Sequence, residues 1–209
     1  MKSDFLMNKR IEVLSDKDIP YTGINNVFNR DNYLPEKLFA SNYKKFIIID
    51  MRYHLFIEDN NHVNEILCHF FSKISNYIHF TSSSFQNSSV YSIRFESNQT
   101  LYNLIDNLES PLGSEVGTNW TNDYLYDESG KWGIYHLHDA FCLIIGYDRS
   151  LQTSVDEIFI KNLPVIKPVN FFFELLTQYM NEQQKQEFIQ ESVRNNPWLK
   201  EVKVYSLPE

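Results

Sequence analysis

The sequence predicts one α+β domain, 1–209, with a largely antiparallel sheet and helices packed on it. Apolar segments with the alternation of strands stand next to one another along the chain, as they do in hairpins. Segments with helical spacing interrupt them unevenly, which differs from the regular alternation of a parallel α/β sheet. No glycine-rich phosphate loop follows a predicted strand, so a doubly wound sheet is the less favoured architecture.

Composition limits the class of protein and the kind of partner. With 209 residues, 43% of them hydrophobic and 22% charged, the chain can bury the core of a globular domain. Phenylalanine (16) and tyrosine (13) are abundant while glycine occurs six times, which favours a tightly packed body. The net charge of −8 disfavours nucleic acid as a partner and favours a basic protein.

The sequence also carries an expectation about the compartment. The first ten residues contain no apolar signal region, and no window of the chain has the length of apolar residues that a membrane helix needs. We therefore expect a cytoplasmic protein without membrane contact. In that reducing compartment Cys68 and Cys142 are expected to be free, buried thiols.

The first half of the chain begins with a loop-rich region, 1–42. Within it the sequence predicts a short strand over 10–14 and a helical turn that Pro35 opens. The segment 43–51 is apolar on both faces, as a central strand would be, and 53–57 continues it or forms a second strand.

The clearest helical pattern follows. Apolar residues at helical spacing predict an amphipathic helix over 62–79, followed by a polar loop over 81–89. Alternation predicts a strand over 90–95, and leucine spacing predicts a short helix over 101–108. The segment 119–126 is expected to be extended and to lead into a turn.

The second half is organised around a central hairpin, 131–148, which holds the densest apolar run of the chain. The segment 155–160 is predicted as a strand, although Ser154-x-x-Glu157 also fits a helix capping box. The C-terminal region, 168–209, is predicted to be helical, with helices over 170–180 and 182–195 and a final edge strand over 202–205.

The register of the hairpin decides which of its side chains meet. A three-residue turn at His138-Asp139-Ala140 gives one uniformly apolar face, places His136 opposite Cys142 and lets Trp132 cover Gly146. A two-residue turn at Asp139-Ala140 mixes the histidines into the apolar face. The burial pattern therefore favours the three-residue turn.

Two kinds of chemistry are compatible with this hairpin. His136 and Cys142 form a candidate thiol–imidazole pair, because histidine activates a neighbouring thiolate. His136 and His138 form a candidate metal site with Asp139 or Asp148 as a third ligand. The chain has no Walker, Gly-x-Ser-x-Gly, His-Glu-x-x-His or Cys-x-x-Cys motif, which favours the interpretation of His136 and Cys142 as a packing pair and of the protein as one without metal or cofactor.

Acidic and aromatic residues concentrate around the hairpin and the segment that leads into it. Aromatic anchors with surrounding carboxylates suit the docking of a basic protein, whereas the same rings turned inwards would belong to the core. The candidate partner-binding residues are Asp123, Tyr124, Tyr126, Asp127, Glu128, Asp139 and Asp148.

The pattern Tyr126-Asp127, Trp132-x-Ile134-Tyr135 and Ile144-x-Gly146-x-Asp148 resembles small cytosolic immunity proteins of bacterial polymorphic-toxin and contact-dependent inhibition systems. The resemblance covers about 25 residues. It implies a non-enzymatic protein that neutralises a cognate toxin through an acidic surface facing a basic toxin domain. The alternatives are a small metal-binding or thiol-dependent enzyme centred on His136, His138 and Cys142, and a structural subunit of a larger assembly.

Overall fold

The computed structural model describes residues 11–14, 22–29, 34–40, 43–50, 62–75, 77–82, 90–94, 123–137, 140 and 142–207. Within these residues nine strands form one sheet in the order β1-β4-β3-β5-β6-β7-β2-β9-β8. The strands are β1 Ile11–Leu14, β2 Lys45–Asp50, β3 Tyr77–Ser82, β4 Val90–Arg94, β5 Asp123–Tyr126, β6 Trp132–Leu137, β7 Cys142–Tyr147, β8 Val165–Lys167 and β9 Val204–Ser206. Every neighbouring pair is antiparallel except β2 and β9, so the predicted α+β class with a largely antiparallel sheet is confirmed.

Helices cover both faces of this sheet. They are α1 Thr22–Val27, α2 His62–Ile74, α3 Gln152–Val155, α4 Val169–Leu176 and α5 Glu182–Asn195. A capping box starts α5, in which the Asn181 side chain accepts from the backbone of Gln184 and the Gln184 side chain accepts from the backbone of Asn181, both at 3.0 Å. None of the helices in the described part of the chain combines the length and the apolar character that a bilayer crossing requires.

Two cores result, one on each face. The first face of the sheet is covered by α2, by α3 and by the turn 156–160 that follows α3. Phe70 and Phe71 of α2 pack around the indole of Trp132, and Phe159 packs against Phe70. The second face is covered by α1, residues 34–40 and the C-terminal helices. Because β6 and β7 are the middle of the sheet, both of their faces are buried.

This double burial explains an error in the predicted hairpin register. The structure pairs Leu137 with Cys142 and His136 with Leu143, which is the register of the two-residue turn. The predicted register, with His136 opposite Cys142, is wrong by one residue. Burial of a single face would have selected a register, but two buried faces accept either one.

The predicted shielding of Gly146 by Trp132 is also wrong. Trp132 pairs with Tyr147 on the first face, and Gly146 pairs with Gly133. The two adjacent glycines open the second face to close approach by Val27 over Gly133 and by Tyr43 over Gly146.

The predicted helix over 62–79 ends early. It stops at Ile74, and the chain re-enters the sheet as β3, between β4 and β5. Ile78 follows the helical spacing, but its side chain is buried as part of the sheet. Pairing on both sides of β3 therefore outweighed the local helical pattern, and part of the predicted loop 81–89 is strand as well.

The predicted strand over 155–160 is helical. A π-helical turn over Asp156–Ile160 continues α3, and Val155, Ile158 and Phe159 are buried at helical spacing. The predicted edge strand over 202–205 is β9. It lies inside the sheet, because β8 pairs on its outer side. The N-terminal region contributes β1 and α1, whereas the predictions for 53–57, 101–108 and 119–122 lie outside the described residues.

Candidate functional site

The candidate thiol–imidazole pair does not form. Side chains alternate along a strand, so His136 shares the first face with Trp132 and Ile134. Cys142 lies on the second face, fully buried, and its thiol donates to the backbone oxygen of Ala140 at 3.1 Å. The sheet itself separates the imidazole from the sulfur, because the register differs by one residue from the predicted one.

We expect the thiol of Cys142 to be inert in the folded protein. In a Cys68→Ser variant, reaction of Cys142 with a disulfide reagent should be at least about 100-fold slower under native conditions than after unfolding in denaturant, because a buried thiol reacts only when the structure opens. Stopped-flow absorbance measures both rates. Equal rates would revive Cys142 as a reactive group.

The candidate metal site loses one of its ligands. Asp148 follows β7 at the end where β6 begins, whereas His136 lies near the end of β6. At about 3.3 Å per residue, a six-residue strand keeps these groups well beyond coordination distance. His138 and Asp139 lie outside the described residues. No cluster of three metal-ligating side chains occurs within the described ranges.

The tyrosines predicted as partner anchors are core residues. Tyr124 packs edge-on against Phe28, with ring centroids 5.0 Å apart, and tilts against Tyr135 at 5.2 Å. Tyr126 is buried in the same second core. The structure thus resolves the two interpretations of these rings in favour of the core, and their assignment as exposed anchors is wrong.

The predicted acidic residues do not form one continuous surface. Asp123 begins β5 opposite His136, at one end of the strands. Asp127 and Glu128 follow β5 at the other end, where Asp148 also lies after β7. Asp139 lies outside the described residues. The turn after β5 therefore carries the part of the prediction that can act together.

Hydrogen bonds hold this turn in a defined conformation. The carboxylate of Asp127 accepts hydrogen bonds from the backbone N–H and the hydroxyl of Ser129. The backbone N–H of Gly130 donates to the backbone carbonyl oxygen of Asp127 at 3.4 Å. Gly130 has a φ of 62°, which glycine adopts at no steric cost. The Tyr43 hydroxyl donates to the Gly130 oxygen at 3.1 Å. The Tyr43 bond ties the turn to a distant segment of the chain.

Glu128 projects from this turn into solvent. Its side chain is 80% exposed, and Oε1 lies 3.9 Å from Nε2 of His79. His79 is buried, with Nδ1 2.7 Å from the Ser92 hydroxyl, and burial lowers the pKa of its imidazole against the opposing charges of Glu128 and Asp127. The helical spacing over 62–79 includes His79, so local sequence does not indicate its place in the sheet.

An open cavity of about 510 Å³ adjoins the turn. It lies between the turn and the C-terminal end of α2, and it is lined by Ser72, Lys73, Ile74, Ser75, Tyr77, Asp127, Glu128 and Ser129. Lys73 is engaged by Glu157 at 2.8 Å. Tyr77 is 43% exposed, so its ring is accessible beside the two carboxylates. We call Tyr77, Asp127, Glu128 and this cavity the acidic turn site.

Asp148 lies at the same end of the sheet but has a structural role. Its carboxylate caps the 3-10 turn Arg149–Leu151 by accepting from the backbone N–H of Ser150 at 2.8 Å. Its own backbone N–H donates to the backbone carbonyl oxygen of Lys131 at 2.7 Å. The hydrogen bonds from Ser150 lower the pKa of the Asp148 carboxyl. Asp148 does not line the cavity, so it is not part of the acidic turn site.

Comparisons of this chain with known protein families, with curated proteins and with solved structures found no match.

Proposed function

We propose that this chain is a non-enzymatic, cytoplasmic binding protein of the immunity type, which neutralises a basic toxin domain through the acidic turn site. The observation that carries the proposal is the exposed ring of Tyr77 beside the exposed carboxylate of Glu128, on a turn held by hydrogen bonds. Aromatic residues are enriched at the energetic centre of protein-binding surfaces, and a charge at the rim steers the encounter with a partner of opposite charge.

The charges of the site fit a basic partner. Among the described residues, Glu128 has an ion-pair contact with the buried imidazole of His79. Because burial lowers the pKa of His79 and disfavours its charged form, the Glu128 carboxylate can meet a lysine or arginine of a partner. The net charge of −8 adds a long-range attraction that speeds the encounter with a positively charged domain. Tyr77 takes the role of aromatic anchor that the sequence predicts for Tyr124 and Tyr126.

Rigidity supports the same proposal. The carboxylate of Asp127 is used within the turn, so the backbone that carries Glu128 loses little freedom when a partner binds. When a loop is already ordered before binding, less of the favourable contact energy is lost to ordering it, and the affinity is higher.

We expect Glu128→Lys to slow association with the basic partner about tenfold at low salt, because a rim charge acts mainly on the association rate.

Tyr77→Ala should raise the dissociation constant roughly 30-fold, the effect of losing an anchor worth about 2 kcal/mol. Surface plasmon resonance with the basic domain encoded next to this protein in its genome measures both quantities.

Glu174→Lys is the matched control. Glu174 is an exposed residue of α4, and this helix packs against the second core, away from the turn. It should lower the association rate far less than Glu128→Lys does. Equal effects of the two charge reversals would place the binding surface elsewhere. Failure of any neighbouring basic domain to bind the unaltered protein would contradict the immunity function itself.

A further inference from the structure

A second site, opposite in charge, lies beside the N-terminal end of β2. Two adjoining cavities, of about 540 and 300 Å³, share five lining residues: Tyr43, Lys44, Phe46, Pro197 and Trp198. Their volumes are in the range of small-molecule sites. We call the pair of cavities the lysine groove. It shares no lining residue with the acidic turn site.

Aromatic rings form one wall of the groove. Trp198 stacks on Phe46 with ring centroids 4.5 Å apart and an angle of 14° between the planes. Phe39 and Tyr43 pack against this pair at steeper angles, with Phe39 5.4 Å from Phe46. Trp198, Phe46 and Tyr43 are all partly exposed, so flat apolar surface is accessible in the groove.

Positive charge lines the same two cavities. Four exposed lysines line the two cavities, Lys37, Lys44, Lys45 and Lys203. Among the described residues that line the cavities, Glu201 is the one acidic residue. Among the residues that the structure describes, none of the four lysines forms an ion pair. Although the chain has a net charge of −8, lysine side chains are therefore concentrated around these two cavities.

Buried polar contacts hold the walls of the groove together. The buried side chain of Asn196 accepts from the Leu38 backbone at 3.0 Å and donates to the Glu36 oxygen at 2.6 Å, which joins the segment with Lys37 to the turn with Trp198. The backbone N–H of Ile48 donates to the Lys203 oxygen at 3.1 Å. Segments far apart in sequence are therefore fixed around the cavities.

Two buried tyrosines, Tyr147 and Tyr205, line the larger cavity. Burial raises the pKa of Tyr147 to about 12, reinforced by the nearby charge of Asp156, and burial likewise raises the pKa of Tyr205. Their hydroxyls stay protonated at neutral pH and are suited to donate hydrogen bonds to an acceptor.

We propose that the lysine groove binds a small phosphorylated ligand with a planar ring, of the nucleoside phosphate class. Lysine ammonium groups bind phosphate oxygens as point charges, and an aromatic wall complements a flat base. The overall acidity of the chain and the limited volume of the cavities favour a mononucleotide over a nucleic-acid strand. This site is independent of the proposed toxin-binding function.

Isothermal titration of the full chain with ADP tests the proposal, with adenosine and pyrophosphate as partial probes. We expect ADP to bind with a dissociation constant on the order of 100 µM, and each partial probe to bind at least about tenfold more weakly. Absence of ADP binding at millimolar concentration would overturn the proposal, and pyrophosphate binding as tightly as ADP would overturn the role of the rings.

Variants separate this site from unspecific attraction. The double variant Lys45→Gln, Lys203→Gln should weaken ADP binding about tenfold or more, and Trp198→Ala should do the same while Trp198→Phe restores most of the affinity. Lys185 is a partly exposed lysine on α5 that pairs with Glu182 outside the groove, so Lys185→Gln is the control and should leave affinity unchanged. Thermal unfolding confirms that each variant is folded. Equal weakening by Lys185→Gln would contradict a defined site.

Discussion

Replacing Asp50 with alanine is expected to lower the free energy of unfolding by about 3 to 5 kcal/mol, the usual cost of removing one partner from a buried ion pair. Asp50 is 1% exposed at the end of β2, and its Oδ2 lies 3.2 Å from Nζ of Lys167. The Lys167 side chain is 15% exposed, so its charge would remain in a largely desolvated position. Chemical denaturation monitored by circular dichroism measures the change.

Two comparison variants isolate the cause of that loss. Glu191→Ala removes one partner of the exposed Glu191–Arg194 pair and should cost only a small fraction as much, because exposed pairs contribute little. The double variant Asp50→Leu, Lys167→Met should recover most of the lost stability, since apolar groups of similar volume can replace a buried ion pair. A loss from Asp50→Ala no larger than that from Glu191→Ala would contradict the buried pair.

Gly133→Ala is expected to destabilise the protein by about 2 to 3 kcal/mol, near the upper end for overpacking. A Cβ at this position would lie 2.3 Å from Cγ1 of Val27 and 2.8 Å from Cζ of Phe28. Both side chains are buried between α1 and the sheet and have no room to move away. Calorimetry should show a midpoint lower by roughly 5 to 10 °C.

Gly130→Asn is the control for this prediction. Nothing lies within 4 Å of a Cβ at Gly130, and asparagine tolerates its positive φ. We expect the midpoint of this variant to stay close to that of the unaltered protein. If Gly133→Ala were equally harmless, α1 would not pack against the sheet as described.

The elements that the sequence predicts correctly are those whose structure is decided by local patterns. The helix over 182–195 was predicted with the bounds that the structure has, because its capping and spacing are contained within the segment. The hairpin strands were also placed correctly, as short apolar runs on either side of a turn. Turn residues at the end of a strand make Asp127 and Glu128 candidates, although the structure exposes Glu128 and buries Asp127.

Candidate site residues that depend on distant partners were missed. Tyr77 and His79 fell within a helical pattern, yet pairing with β4 and β5 makes them part of a strand. The lysine groove joins residues near 40 to residues near 200, which no local pattern relates. Tyr124 and Tyr126 alternate like exposed strand residues, but α1 and residues 34–40 bury that face.

By itself, the sequence determined the α+β class, the central hairpin and the acidic turn, because strand alternation, helical spacing and turn chemistry act between near neighbours. Only the tertiary structure decided the hairpin register, the separation of His136 from Cys142, and the exchange of Tyr124 and Tyr126 for Tyr77 as the accessible ring. The physical reason is that the middle strands are buried on both faces. Which side chain meets solvent there depends on the segments that pack over the sheet, and these come from distant parts of the chain.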